Sequence, residues 1–249
     1  MNPALEAQPI AVPRAALLQA LYQAHAELAG QRQVACGPGC SACCTDRVLL
    51  TGLEAELLVR ALRDSGQDGL LTAAAERGQS SAAAPACSFN QLARLCLQQQ
   101  EPPAEAAAAP EQGVCPLLQD GLCAAYQARP FACRAMASQE RCGPGGAAAT
   151  TDWWVTLDTA FFQLIEHLDA GGVLGLLPAL LARSQGRPTP GLLTCQVLPG
   201  LPAPAALQAH LQQALRSLFV RPVEGRPLGQ WLDLIRRQAQ GCAAQEKGG

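Results

Sequence analysis

Apolar residues recur at helical spacing over most of this chain. In PRAALLQALYQAHAELAG, Leu17, Leu21 and Leu28 fall on one face and Gly30 suits the position just past a helix end, which predicts a helix over 13–30. VLL at 48–50 predicts a short strand, and Thr51 with Glu54 forms a capping box that opens a helix to about Arg63. SFNQLARLCLQQQ predicts a further helix over 88–100. Thr151 or Asp152 is placed to cap a helix through WWVTLDTAFFQLIEHLDAGG. Shorter helices are expected near 173–184, 204–219 and 227–240, divided by Pro/Gly segments, and no internal repeat is visible.

The periodicity lapses twice. Residues 98–113, QQQEPPAEAAAAPEQG, are low in complexity and read as an insertion that packs little. Cys115 to Cys142 is rich in cysteine, and GPGGAAATT then separates it from the helical tail. The expected organisation is a cysteine-cluster region over 1–145 and a helical region over 146–249 that packs on it.

Composition narrows the function classes. The 249 residues are 49% hydrophobic and only 4% aromatic, so Ala and Leu fill the core, which favours helices. The net charge of −2 provides no global basic field, so no nucleic-acid partner is expected. Of 18 basic residues only Lys247 is a lysine, which argues against a phosphate-binding G-x-x-x-x-G-K-[ST] loop and a lysine Schiff base. MNPALEAQPIAVPRAALLQA has no basic stretch leading into an apolar one, so no export signal is expected. The apolar run GGVLGLLPALLA is too short to span a bilayer and contains Pro178, so no membrane partner is expected. The expected location is the cytoplasm, where 12 cysteines are better ligands or catalysts than staples.

The cysteines supply the chemistry. Cys36, Cys40, Cys43 and Cys44 read C-x3-C-x2-C-C, and Cys115, Cys123, Cys133 and Cys142 follow in the second stretch. Metal thiolate sites need close donors on short, bent backbone; Gly37, Pro38 and Gly39 bend the first loop and Asp120-Gly121 the second. The spacing therefore predicts eight metal ligands. A strict two-residue Asp120-Gly121 turn would send Cys115 and Cys123 to opposite faces, so a three-residue loop, Asp120 to Leu122, is expected. Pro130 suits the first turn of a short helix, which would place Cys133 near a helix N-terminus with a lowered pKa. Arg129 and Arg134 supply positive charge around a thiolate site, and Tyr126 is a candidate donor to a sulfur. Competing readings are buried reduced cysteine, a disulfide framework, and redox exchange at Cys40-Ser-Ala-Cys43, which lacks a βαβ context. Four thiolates suit zinc and iron–sulfur clusters alike.

The pattern resembles the YkgJ-type cysteine-cluster family, described as zinc- or iron-chelating. The chain carries the four clustered cysteines and Leu50-Thr51. It also carries Cys115-Pro116, Leu118, Gly121, Cys123, Tyr126, Arg129-Pro130, Cys133-Arg134 and Cys142. The resemblance covers about 36–64 and 115–142. A flagellin lysine-N-methylase is similar in its cysteine pattern and is associated with an iron–sulfur cluster and S-adenosylmethionine. That resemblance tips an even choice between zinc (Zn2+) and an iron–sulfur cluster slightly toward a [4Fe–4S] cluster. It also sets two functions side by side: a mainly α metal-binding protein with a small β-hairpin and an irregular cysteine-rich metal-binding region, or an iron–sulfur-dependent methyltransferase using S-adenosylmethionine. Whether the protein is an enzyme stays open on these residues.

The remaining candidates read as structural. Cys87, Cys96, Cys195 and Cys242 are expected outside the site, with Cys87 and Cys96 nearest to it. His25, His167 and His210 lie on predicted helices as surface or interhelix residues. Trp153-Trp154 and Phe161-Phe162 read as core or interface, and Asp46 as a turn cap.

Overall fold

The capping signals place most of the helices. In the computed structural model, which describes residues 10–37, 39–77, 85–104, 113–143 and 147–246, the elements follow as α1 (Arg14–Ala29), β1 (Leu49–Thr51), α2 (Gly52–Asp64), α3 (Asp68–Arg77) and α4 (Phe89–Leu97). Then come β2 (Leu118–Gln119), β3 (Leu122–Cys123), α5 (Phe131–Ala135), α6 (Asp152–Leu168), β4 (Val173–Leu176) and α7 (Leu177–Ser184). β5 (Leu193–Thr194), α8 (Ala205–Val220), β6 (Pro222–Val223), β7 (Arg226–Pro227) and α9 (Leu228–Glu246) complete the chain. The fold is mainly α with small antiparallel sheets. Thr51 and Glu54 form the expected capping box on α2, Thr151 caps α6, and Ser88 caps α4. No helix among the described residues is long and apolar enough to cross a membrane.

Two hydrophobic clusters organise the molecule. The larger is built by α1, α6, α8 and α9, with Leu17, Leu21, Phe161, Leu164 and Trp231 buried together and Phe131 of α5 inserted into it. The second gathers β1, α2, α3 and α7 around Leu50, Leu58, Leu62, Leu71 and Leu181, and takes in Cys115 and Leu117. The chain after residue 146 is interleaved with what precedes it. α6 packs on α1, α7 packs on α2 and α3, and β4 lies between β1 and β5.

Three expectations need correction. The helix over 173–184 splits: Val173–Leu176 is strand β4, paired antiparallel with β1 (Leu49 opposite Leu176), and the helix starts only at Leu177. Pro178 lacks an N–H and fits only a first turn, so the sequence carried this boundary. A Cβ added at Gly175 in β4 would press on the end of the Leu192 side chain, which would have to shift. Gly30 is the cap of α1 in right-handed conformation, not a left-handed residue beyond it. Helix α3, which buries Leu71, Ala74 and Ala75, lay outside every predicted segment. Of the low-complexity stretch 98–113, residues 98–104 are exposed, and 105–112 lie outside the described residues.

Candidate metal centre

The first cysteine loop is wound by successive turns. Cys40 N–H donates to Gly37 O at 3.0 Å, Cys44 N–H to Ser41 O at 2.9 Å, and Gly39 takes the left-handed bend with φ +82°. Pro38 lies outside the described residues. The loop then runs antiparallel to the start of the second stretch: Thr45 bridges Val114, Asp46 N–H donates to Gly113 O at 2.9 Å, and Cys115 N–H donates to Cys44 O at 2.9 Å. Asp46 also accepts the Gly113 N–H through Oδ1 at 3.1 Å, so it caps this junction as a turn residue. The backbone alone thus joins residues about seventy positions apart at the cysteines.

The β2–β3 hairpin corrects the loop expectation. Leu118 pairs with Cys123 and Gln119 with Leu122, leaving a two-residue turn of Asp120 (φ 49°) and Gly121 (φ 77°). The parity argument fails because Cys115 is not on the strand. Leu118 N–H donates back to Cys115 O at 3.1 Å, and that turn brings Cys115 to Cys123 without a third loop residue.

Cys133 arrives on α5, with Pro130 as its cap rather than its first residue. Glu54 holds this helix. Its carboxylate, 3% exposed, accepts from Phe131 N–H at 2.7 Å, Tyr22 Oη at 2.8 Å and Thr51 N–H at 2.9 Å. One buried side chain therefore ties α1, α2 and the cysteine-bearing helix. The expected lowering of the Cys133 pKa does not occur; it is pushed well up, by burial first and then by the charges of Cys115, Cys123, Cys44 and Cys43. A five-residue helix offers little dipole against desolvation.

Cys36 meets the second cysteine stretch at Ser138. Ala35 N–H donates to Ser138 O at 2.8 Å, and Ser138 N–H points at Cys36 Sγ at 3.3 Å. Ser138 Oγ accepts from Ala149 N–H at 2.9 Å. Buried Arg32 clamps the same segment, donating to Ala137 O and Thr150 Oγ1, each at 2.6 Å, and facing Asp158 Oδ2 at 3.4 Å.

The sulfurs sense one another. Cys43 is raised by burial and then by Cys36, Cys40 and Cys142. Cys44 is pushed up to about 11 by burial and then by Cys43, Cys115, Cys123 and Cys40. Cys115 is raised by burial and by Cys123, while the N–H groups of Leu117 and Leu118 and the charge of Arg77 pull the other way. Through these pairs all eight predicted ligands are linked, Cys36 and Cys142 by way of Cys43. Among the described residues, no group of three or more His, Cys, Asp or Glu side chains is placed to hold a metal ion. By donor chemistry alone the eight reduced cysteines are of the type a thiolate-bound metal would use, and backbone N–H groups are aimed at Cys36 and Cys115. Because burial raises these thiols, loading would displace protons.

The other predicted roles divide. Arg134 donates to Arg129 O at 2.9 Å and Gln127 O at 2.8 Å and lies over the Tyr22 ring, while Arg129 lies over the Tyr126 ring at 4.0 Å. Both cations brace the 126–134 turn. Tyr126 is exposed, with Arg129 rather than a sulfur as its described partner. His25 is interhelical, 2.7 Å from Asp158 Oδ1. His167 accepts from Leu198 N–H through Nδ1, which leaves Nε2 to donate to Leu232 O. His210 stacks on Trp153 at 3.7 Å, Phe162 on Phe89, and Phe161 is core. Cys195 is buried beside Asp169, Cys96 is exposed, Cys87 is half-buried, and the side chain of Cys242 lies outside the described residues. Sequence reasoning missed Glu54 as the anchor of α5, Arg32 and Ser138. The capping box marked Glu54, but its reach to Phe131 is a tertiary fact.

No protein-family model, no curated protein and no solved structure matches this chain. The YkgJ-type resemblance therefore rests on the motif residues themselves.

Proposed function

We propose that this chain is a cytoplasmic metal-binding protein of the YkgJ-type pattern, whose cysteine thiolates hold an iron–sulfur cluster or zinc. The observation that supports it is the meeting of Cys36–Cys44 with Cys115–Cys142, so that thiols from both segments raise one another's pKa. Thiols this close repel once ionised, and a cation among them relieves that repulsion. Cys36, Cys40, Cys43, Cys44, Cys115, Cys123, Cys133 and Cys142 would hold the metal. A bound metal would cross-link two loops otherwise joined mainly by backbone hydrogen bonds, contributing on the order of 10 kcal/mol by analogy with structural zinc. An iron–sulfur cluster would add one-electron chemistry.

The test is anaerobic purification of the full chain followed by metal and sulfide analysis and a visible spectrum. Broad thiolate-to-iron absorption with stoichiometric sulfide identifies a cluster, and a colourless zinc-loaded protein identifies zinc. Cys43→Ser and Cys133→Ser should each lower metal content and thermal stability together. Full metal content in both variants would overturn the ligand assignment.

A further inference from the structure

Two arginines flank Cys133 without a carboxylate to face. Among the described residues Arg14, Arg32, Arg187 and Arg221 are each ion-paired, whereas Arg129 and Arg134, both half-buried, are not. Yet both are held in place. Arg134 donates through Nε to Arg129 O at 2.9 Å and through Nη2 to Gln127 O at 2.8 Å, and its guanidinium lies 4.2 Å over the Tyr22 ring. Arg129 lies 4.0 Å over the Tyr126 ring, and its Nε is buried without an acceptor. Glu54 is the carboxylate whose charge reaches Arg134, but its oxygens are occupied by Phe131 N–H, Tyr22 Oη and Thr51 N–H. The Arg134 pKa is lowered, by burial first; Arg129 pushes it down as well, while Tyr22, Glu54 and Cys133 push back. Two cations therefore share one turn with no anion between them.

We propose that Arg129 and Arg134 form a site for a phosphate group, free or carried on a small molecule. A guanidinium presents its donors in a planar fork that fits two oxygens of one oxyanion, and a ring against each plane fixes the fork while leaving its edge available. Arg134 keeps Nη1, which has no acceptor among the described residues, and no acceptor there engages the Arg129 side chain. Phosphate suits the pair better than a carboxylate because it carries close to two negative charges at neutral pH, one for each cation. The chain's net charge of −2 provides no field for a polyanion, so a single phosphate group fits and a nucleic acid does not. The site goes beyond the metal-binding reading and does not depend on it, since a guanidinium has no lone pair to give a metal.

The experiment is isothermal titration of the reduced full chain at neutral pH and constant ionic strength, with inorganic phosphate and separately with acetate, before and after treatment with a chelator. Phosphate should bind about tenfold tighter than acetate, and equally in both preparations. Arg129→Gln should weaken phosphate about tenfold, and Arg129→Lys should recover part of the loss because it restores the charge without the fork. Arg129→Gln should melt within about 4 °C of wild type, since the side chain it replaces rests on an exposed ring. If it does not fold, Arg129→Lys carries the test: weaker phosphate supports the site and unchanged affinity overturns it. Arg60→Gln, at an exposed position of α2, should bind phosphate as wild type does. Phosphate no tighter than acetate, binding that Arg129→Gln leaves intact, or an equal loss in Arg60→Gln overturns the site. Binding that disappears with the chelator would place the phosphate on a metal, which overturns the arginine site and leaves the metal-binding reading standing.

Discussion

The helical face around Phe161 and the cysteine face around Cys44 and Cys115 are held together by opposite means. On the first, long helices bury large side chains completely: Leu17, Leu21, Phe161 and Leu164 are each 0% exposed. On the second, the elements are two residues long in β2 and β3 and five in α5, and the joints are backbone hydrogen bonds and single polar side chains. Packing that dense stands by itself. Short loops whose hydrogen bonds are partly open to water contribute little net free energy. The difference teaches that a cross-link on the cysteine face, such as the metal proposed above, would add most where packing contributes least.

The largest intrinsic effect should come from the helical face. Phe161→Ala removes a ring packed against Phe131 at 5.8 Å and His25 at 5.1 Å, and should cost about 3–5 kcal/mol in denaturant unfolding. Amide exchange should rise throughout α1 and α6. If only the cysteine loops loosen, the two faces are not built as described.

Glu54→Ala attacks the link between the faces. It leaves Phe131 N–H, Thr51 N–H and Tyr22 Oη without their buried acceptor, a loss of about 3 kcal/mol. Exchange should accelerate at Phe131 and Cys133 before it does in α6. Glu54→Gln keeps an acceptor and should cost less. Equal losses in the two variants would mean that the carboxylate does not anchor α5.

What the sequence revealed follows the same divide. Helices α1, α2, α6, α8 and α9 were legible because period and caps are local properties. The cysteine spacing was legible for the same reason, and the pairing of the Cys44 and Cys115 segments followed its logic. The two-residue hairpin, the high pKa of Cys133 and the pairing of strand β4 with β1 were not. Each depends on a partner far along the chain: the turn at Leu118, the burial of α5, and β1. Glu54 shows the limit most sharply, since its local role was visible and its long-range role was not.

Acidity gives a smaller test, confined to the sheet between the clusters. Asp169, which accepts from Leu53 N–H at 3.1 Å, is pushed up to about 6 from 3.8, by burial first. The folded state therefore binds its proton more tightly than the unfolded chain. Its contribution is favourable below about pH 4 and is lost as pH rises through 6, on the order of 3 kcal/mol for a shift of about two units, the opposing pull of Arg14 already included. Asp169→Asn should flatten that part of the stability profile between pH 4 and 6. An unchanged wild-type-minus-variant difference across that window would exclude Asp169 as its source.

The smallest effect is the most local, and it tests the joint of the cysteine face directly. A Cβ at Gly113 would stand 2.5 Å from Asp46 Oδ2, which is too close without movement. In Gly113→Ala, Asp46 must rotate and give up the 3.1 Å bond to the residue 113 N–H, while the backbone bond from Asp46 N–H to residue 113 O can persist. The expected loss is about 1 kcal/mol, the worth of one hydrogen bond, with faster exchange at Asp46 and Cys115 and none of the change reaching α6. The steric cause can be separated from the hydrogen bond by the double variant Asp46→Ala with Gly113→Ala. With the carboxylate gone the added methyl meets no obstacle, so the double variant should be no less stable than Asp46→Ala alone. If the two losses instead add in full, the contact between Asp46 and Gly113 is not what sets the glycine, and the ordering of the Cys44–Cys115 junction must come from the Thr45–Val114 bridge.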